Sequence, residues 1–208
     1  MARRVFGSSA ERDHGRVVHL DGDRAIVEAA RRDPAQFDAL YRKYVAQVYS
    51  FALYELADHH AAEDVTERTF LRALAGLPGF RERARSGDES TFRVWLFRIA
   101  RNVIANERRA RRRRPEASLE QALGAGLSIA DPVDVEAGAV LRDDAAAALR
   151  AVRRLPDDRR RALLLRIVEE LSPAEIAPIL GRSEGAVRVL VHRALRAVAA
   201  DLARGERR

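Results

Sequence analysis

The stretch from Thr91 to Arg114 reads TFRVWLFRIARNVIANERRARRRR and decides how the rest of the chain is interpreted. Its apolar residues recur at the spacing of an α-helix with one buried stripe, namely Phe92, Trp95, Leu96, Ile99, Ala100, Val103 and Ile104. The other side is polar and basic, with candidate contacts at Arg98, Arg101, Asn102, Asn106, Arg108 and Arg109. Guanidinium and amide groups repeated along a helix face clamp phosphates and reach base edges. The stretch therefore predicts a helix with one face for a core and the other for a polyanion.

A solvated charged face is the alternative interpretation of such an arginine run. Exposed helices ordinarily interleave acids with bases, whereas Glu107 is the only acid among the nine arginines from Arg93 to Arg114. The formal net charge is +7, the pI is near 10.7, and Lys43 is the single lysine among 38 Lys and Arg. GC-rich coding also produces an arginine-rich chain, so the placement of the arginines carries more weight than their number. Together these features favour a nucleic acid as partner.

The composition excludes several classes of protein and site. Apolar residues make up 47% and charged residues 33% of the 208 residues, which indicates a globular protein. No run approaches the roughly 18 apolar residues of a membrane span, and the N-terminal residues lack the apolar core of a signal peptide. We therefore expect a cytoplasmic protein without direct membrane insertion. The lack of cysteine excludes disulfides and Cys-ligated zinc. We expect no catalytic residue, because the acids are scattered rather than paired, and we also expect no cofactor, metal or small-molecule substrate.

The residues before the arginine-rich helix predict a mobile tail over 1–21 and a first helical domain over 22–114. Asp33, Pro34 and Gln36 carry the capping signals of a long core helix. A further helix from Asp58 exposes acids beside Leu71, a combination typical of protein interfaces, although a plain solvated face fits as well. Its first turns also hold a weak candidate for metal ligands, which lacks a second ligand cluster: His59, His60, Glu63 and Asp64.

Phe80 lies among arginines in the loop before the opening helix. Aromatic rings and guanidinium groups in a loop are the composition of a single-strand binder, in which rings stack on bases. The alternative is that the ring pins the loop to the core. Both interpretations stay open at this stage.

A linker and a second helical domain follow the arginine run. Residues 115–138 are rich in small, acidic and Pro/Gly residues and predict a flexible linker, longer than connections within a compact domain. The second domain is predicted over 139–204, with inward residues Leu163, Leu164, Ile167, Val168 and Leu171 on its second helix. The predicted fold is thus all-α, with two small helical domains.

Residues 172–196 carry a helix-turn-helix pattern. Ser172 and Glu175 form a capping box, Pro173 takes the first helical position, and the turn around Gly181 precedes a new cap at Ser183. In this motif the second helix enters the major groove. The candidate DNA contacts are Arg182, Glu184, Arg188, His192, Arg193 and Arg196. A helical hairpin that does not bind DNA is the alternative.

Three segments together resemble the extracytoplasmic-function (ECF) branch of the bacterial sigma-70 family. They are AEDVTERTFLRAL with FRVWLFRIARNVIANERRARR in the first half, and LPDDRRRALLLRIVEELSPAEIAPILGRSEGAVRVLVHRAL in the second. The order, the spacing and the intervening linker all agree with this family. The chain departs from the family pattern in the recognition helix, where Arg188, Val189 and Leu190 replace the usual Lys-Ser-Arg.

The resemblance implies a subunit that binds core RNA polymerase and promoter DNA. It implies a polymerase contact at Asp64, Glu67, Phe70 and Leu71. It also implies that Phe80 and the basic face of the arginine-rich helix read and help to open the minus-ten promoter element. Arg188, His192 and Arg193 would then contact the minus-thirty-five element. An anti-sigma factor is a further expected partner, since members of this family are often held inactive by one.

Two other classes of function remain as alternatives. A stand-alone helix-turn-helix transcriptional regulator would use the second domain but would leave the acidic helix and the arginine-rich helix without a role. A nucleic-acid enzyme would need converging carboxylates or a nucleophile paired with a base. The sequence favours the sigma factor because that function employs all three surfaces.

Overall fold

The computed structural model describes residues 20–81, 91–113 and 146–205. These residues form helices and turns without a strand, which confirms the all-α prediction for this part of the chain. None of the described helices is long and apolar enough to cross a membrane. The helices are α1 (Leu20–Arg32), α2 (Phe37–Leu56), α3 (His59–Gly76), α4 (Thr91–Arg113), α5 (described over 146–153), α6 (Asp157–Ile167), α7 (Pro173–Leu180) and α8 (Glu184–Gly205).

The first two helices are joined by the predicted capping residues. The Asp33 side chain accepts a hydrogen bond from the Ala35 amide at 3.0 Å and caps a short 3₁₀ turn, Pro34–Gln36, that leads into α2. A buried polar cluster also ties α1 to α2. The Nζ of Lys43 lies 2.5 Å from Asp23 Oδ1, and the Tyr44 hydroxyl donates to the other carboxylate oxygen of Asp23.

The core of the first half comes from the apolar stripes of α2, α3 and α4. Asp58 caps α3 by accepting from the Ala61 amide at 2.9 Å. The fully buried large side chains include Tyr44, Phe51, Phe92 and Phe97, and the Phe51 and Phe97 rings meet edge to face with centroids 5.6 Å apart. The stripe predicted for α4 is confirmed at its buried members, which are Phe92, Leu96, Ala100, Val103 and Ile104.

In the second half, α7 and α8 form the predicted helix-turn-helix. The capping box is present, with Ser172 Oγ accepting from the Glu175 amide at 3.2 Å and Glu175 Oε2 accepting from the Ser172 amide at 2.8 Å. Gly181 ends α7 with a φ of +66°, a backbone conformation that favours glycine. Ser183 then caps α8 by accepting from the Ala186 amide.

Some apolar residues are more exposed than the spacing of the sequence predicts. Helical spacing predicts that Tyr41 faces the core from α2 and Leu74 from α3, but these side chains are 42% and 37% exposed. Ile167 and Val168 were expected to face inward, but Ile167 is the last residue of α6 and is 58% exposed, and Val168 follows the helix end. The helical period stops at Ile167, so residues beyond it no longer follow the buried stripe. Leu165 occupies the core instead.

The two halves share one continuous hydrophobic core. α7 packs against α4, and α6 contacts α2. Buried residues of the second half such as Leu165 and Ile176 belong to the same cluster as Leu96 and Phe97 of the first half. The predicted linker, residues 115–138, and the predicted tail, residues 1–21, lie outside the described residues apart from the start of α1. The second half is therefore docked on the first rather than separated from it.

Candidate functional site

An open groove of about 970 Å³ runs between α2 and α3. Three large apolar side chains line it while remaining exposed to solvent: Leu71, which is 56% exposed, Tyr41 and Leu74. The groove brings together all four residues that the sequence assigned to a protein contact, namely Asp64, Glu67, Phe70 and Leu71. Tyr41 and Leu74 were not included in that assignment. Tyr41 and Leu74 continue the apolar stripes of α2 and α3, yet their side chains are exposed, and this exposure identifies them as part of the groove surface.

Aromatic packing forms the floor of this groove and carboxylates form its rim. Phe70 is buried, and its ring meets Tyr41 edge to face at 4.8 Å and Phe37 at 6.3 Å. The acidic side chains around the groove are Asp38, Glu63, Asp64 and Glu67. Burial and the charge of Glu63 raise the pKa of Tyr49, which also lines the groove. An apolar floor with an acidic rim suits a partner that presents apolar side chains among basic ones.

The candidate metal ligands at the start of α3 have other contacts. His59 Nδ1 lies 2.7 Å from the Tyr49 hydroxyl, and His60 Nδ1 lies 3.6 Å from Glu63. Within the described ranges no group of three or more His, Asp or Glu side chains is placed to hold a metal ion.

The basic face of α4 is divided between exposed and engaged side chains. Arg98, Asn102, Asn106 and Arg109 are exposed, and Arg109 donates to Asn106 Oδ1 at 3.0 Å. Arg101 instead donates to the carbonyl oxygen of Ile179 in α7 at 2.7 Å, and α7 packs on this side of α4. Only part of the face that the sequence assigned to DNA is thus open to a partner in this arrangement.

Arg108 belongs to a buried charge cluster, the Glu55 cluster, whose members are Glu55, Arg108, Asp157, Arg160 and Arg161. The Glu55 side chain is fully buried, and its two oxygens lie 2.9 Å from Arg108 Nη2, 3.2 Å from Arg160 Nε and 3.3 Å from Arg161 Nε. Asp157 faces the same three arginines. Because Glu55 is on α2 and Arg160 and Arg161 are on α6, this cluster joins the two halves.

Burial and the excess of cations govern the pKa values around this cluster. Burial lowers the pKa of Arg108, with Glu55 opposing the change. Burial acts to raise the pKa of Asp157, but Arg108, Arg160 and Arg161 outweigh it and lower that pKa. Burial, followed by the charge of Arg161, lowers the pKa of Arg101. Asp157 therefore stays ionised, and its carboxylate holds the arginines in place.

Phe80 packs among aromatic side chains in the described structure. Its side chain is 7% exposed, and its ring packs against Trp95 at 5.0 Å and Phe92 at 5.8 Å between centroids. This placement favours the alternative in which the ring pins the loop to the core. The ring could stack on a base only by leaving Trp95 and Phe92.

The outward side of α8 and the turn before it carry all the residues predicted for duplex DNA. The exposed candidates are Arg182, Glu184, Arg188, His192, Arg193 and Arg196. Arg188 pairs with Glu184 at 3.1 Å, and Arg182 pairs with Asp158 of α6 at 2.6 Å. Val189 lies on the same side and was not predicted as part of it.

Glu169 is a buried acid where the loop after α6 meets α4. Arg93 of α4 donates to its backbone carbonyl, while the side-chain Oε1 has no hydrogen-bond partner among the described residues. Burial raises the pKa of Glu169 to about 7, against the opposing charge of Arg93. The carboxyl is therefore protonated in the folded chain at pH values where an exposed glutamate is ionised.

This pKa predicts a loss of stability as the pH rises. Between about pH 4.5 and 7 the unfolded chain releases the Glu169 proton while the folded chain keeps it. The free energy of unfolding should thus fall by up to about 1.4 kcal/mol per pH unit from this group. Urea denaturation at several pH values should show a flatter profile for Glu169→Gln. The exposed neighbour provides the control, since Glu170→Gln should keep the wild-type slope; an unchanged slope in Glu169→Gln would contradict the assignment.

Two family models match the chain. The one described as sigma-70 region 2 matches residues 40–114, and the one described as sigma-70, region 4 matches residues 145–198. The first match contains the face of α4 and most of the residues that line the groove, and the second contains the helix-turn-helix.

Curated relatives match over most of the chain. The ECF RNA polymerase sigma factor BldN of Streptomyces coelicolor is 35% identical over 193 residues, which cover 92% of this chain and 67% of BldN. The RNA polymerase sigma-H factor of Pseudomonas aeruginosa is 36% identical over 182 residues, which cover 85% of this chain and 91% of that protein.

Solved structures share the fold. CnrH, in complex with the cytosolic domain of CnrY, aligns with a TM-score of 0.63 at 22% identity, covering 88% of this chain and 97% of CnrH. RpoE of Bartonella quintana, in complex with the anti-sigma factor NepR, aligns with a TM-score of 0.60 at 23% identity, covering 80% and 96%.

Proposed function

Because the chain belongs to the sigma-70 family and is an RNA polymerase sigma factor of its ECF type, we propose that it docks on core RNA polymerase through its first half and contacts promoter DNA with both halves. We retain the division into a first domain over 22–114 and a second over 139–204. The groove between α2 and α3 is the proposed polymerase site. Its exposed Tyr41, Leu71 and Leu74 would supply apolar contacts, and its acidic rim would face basic groups of the polymerase.

The minus-ten element is the proposed ligand of α4. Arg98, Asn102, Asn106 and Arg109 are exposed on one face and combine phosphate-binding guanidinium groups with amides that pair with base edges. Arg101 and Arg108 would join them once released from Ile179 and the Glu55 cluster. Phe80 would support this face through Trp95 rather than read a base itself.

The minus-thirty-five element is the proposed ligand of α8, the second helix of the helix-turn-helix. Its exposed basic residues, Arg188, His192, Arg193 and Arg196, would enter or border the major groove.

The docked arrangement of the two halves would have to open for promoter binding. α7 covers Arg101, and the Glu55 cluster engages Arg108, so α4 cannot use these two side chains on DNA while α6 and α7 remain in place. We therefore assign the described arrangement to a closed form of the sigma factor. Polymerase, by holding the halves apart, would expose the rest of the minus-ten face.

An anti-sigma factor is a proposed second partner. Such a protein would inactivate the chain by covering the α2–α3 groove or the basic face of α8, which are both open in the closed form. The proposed polymerase partner also places the chain in the cytoplasm, where transcription takes place in bacteria.

The observation that carries this function is that an acidic apolar groove on the first half and a basic helix-turn-helix on the second are exposed together. The test is gel filtration of the protein with sigma-free core RNA polymerase, followed by transcription from a pool of genomic promoters. We expect a 1:1 complex and initiation at promoters that share two spaced elements. A protein that binds DNA but neither co-elutes with core nor supports initiation would instead be a stand-alone regulator.

A further inference from the structure

The exposed face of α8 is centred on an apolar side chain. Val187 and Ala194 are buried and mark the inner side of this helix. At about 100° per residue, Val189 lies roughly 160° around the axis from Val187, whereas Arg188 lies only about 100° away. Val189 is 46% exposed, and Arg188 is turned along the helix toward Glu184. Val189 thus lies on the outward side of α8, with Gly185 one turn before it and His192 one turn after it.

The surroundings of Val189 are open on one side and cationic on the other. Gly185 lies one turn before it, and a Cβ added there would meet no described atom within 4 Å, so the helix backbone can approach a partner closely at this turn. His192 and Arg193 follow three and four residues later on the same face and are exposed. A single exposed valine is ordinary on most surfaces. Here it lies at the middle of a face whose other side chains suit a polyanion.

The chemistry of valine limits what it can recognise in a major groove. It neither donates nor accepts a hydrogen bond, and most base-edge groups in that groove are donors and acceptors. The apolar group offered there by the four ordinary bases is the 5-methyl group of thymine. We propose that Val189 is a specificity-determining residue that packs against the 5-methyl group of one thymine in the upstream promoter element. This inference rests on the proposed function, because it requires α8 to enter the major groove.

The test removes the methyl group from the DNA. The upstream element is first selected from a randomised library with holoenzyme assembled from this protein and core RNA polymerase, and each selected thymine is then replaced singly by deoxyuridine. We expect one position at which the loss of the methyl group weakens holoenzyme binding about three- to fivefold, the effect of one buried carbon group. An upstream element that lacks a selected thymine, or one in which every thymine tolerates deoxyuridine, would overturn the proposal.

A matched variant ties the effect to Val189. In Val189→Ala holoenzyme, thymine and deoxyuridine at the sensitive position should bind equally, because the side chain no longer reaches the methyl group. Val189→Ile should keep the preference. Arg188→Ala should weaken binding to both DNAs while preserving their ratio, which separates apolar readout from phosphate contact. A thymine preference that survives unchanged in Val189→Ala would overturn the proposal. If the proposed function were wrong, the experiment would fail at an earlier step: the holoenzyme would not assemble, or it would not select any upstream element.

Discussion

Replacing Glu55 by alanine should lower the free energy of unfolding by about 3–5 kcal/mol, the cost of removing one partner from a buried ion pair. The Glu55 carboxylate is fully buried and faces Arg108, Arg160 and Arg161. Without it, only Asp157 remains in the cluster to balance three arginines, which burial would leave poorly solvated. Chemical denaturation of the purified chain measures this loss.

An exposed glutamate on the same half provides the control. Glu28 pairs with Arg24 at 3.5 Å, and both side chains are largely in solvent. Glu28→Ala should therefore change the free energy of unfolding by less than about 1 kcal/mol. Equal effects of the two substitutions would contradict the view that the Glu55 cluster contributes through its burial.

A distance measurement distinguishes opening of the halves from general unfolding. The chain has no cysteine, so engineered cysteines at the exposed positions Ala75 in α3 and Ala199 in α8 can be labelled selectively. In Glu55→Ala the distance between the two labels should increase under conditions where the helix content is retained. If the distance stayed at its wild-type value while helix content fell, the cluster would stabilise the first half alone and would not hold the two halves together.

Leu71→Glu should weaken binding to core RNA polymerase by about 100-fold or more. Leu71 is the most exposed large apolar residue of the α2–α3 groove, and apolar anchors at the centre of an interface carry much of its binding energy. The new carboxylate would lie among the groove's existing acids and would lose its water on binding. The free energy of unfolding should stay within about 0.5 kcal/mol of wild type, because the position is exposed. A fluorescence titration with core polymerase gives the affinity.

A conservative change at the same position is the control for this result. Leu71→Met keeps an apolar side chain of similar volume and should retain affinity within a few fold. If Leu71→Glu bound core polymerase as tightly as Leu71→Met, the groove would not be the docking site, and the polymerase contact would have to lie elsewhere on the chain.

The helices and their buried stripes could be predicted from the sequence because both depend on local spacing. The stripe of α4 and the caps at Asp33, Ser172 and Ser183 involve residues within one or two turns of each other. The prediction of burial was wrong at Leu74 and Ile167, because helical spacing alone does not determine burial at these two positions. Leu74 lines a groove that stays open for a partner, and Ile167 lies at the end of α6.

The partners of the arginines could not be predicted in the same way. Glu107 is the only acid within the arginine-rich stretch, which suggested a free basic face. In the folded chain the missing acids come from other helices, with Glu55 and Asp157 contacting Arg108 and Asp58 contacting Arg111. Such pairs join residues about 50 positions apart, so local charge patterning cannot reveal them. The sequence carried one indication of a buried acid, because Glu55 continues the helical spacing of the buried residues of α2.

The ion pair between Lys43 and Asp23 makes the chain a selective substrate for acylating reagents. Lys43 carries the only ε-amine of the chain, and the buried carboxylate of Asp23 holds it against α1. A free amine attacks the carbonyl of an activated ester and displaces its leaving group, so acylation of Lys43 depends on release of α1 from α2. The yield of acylated Lys43 in a mass spectrum is therefore a site-specific record of how often α1 detaches, and it needs no engineered label.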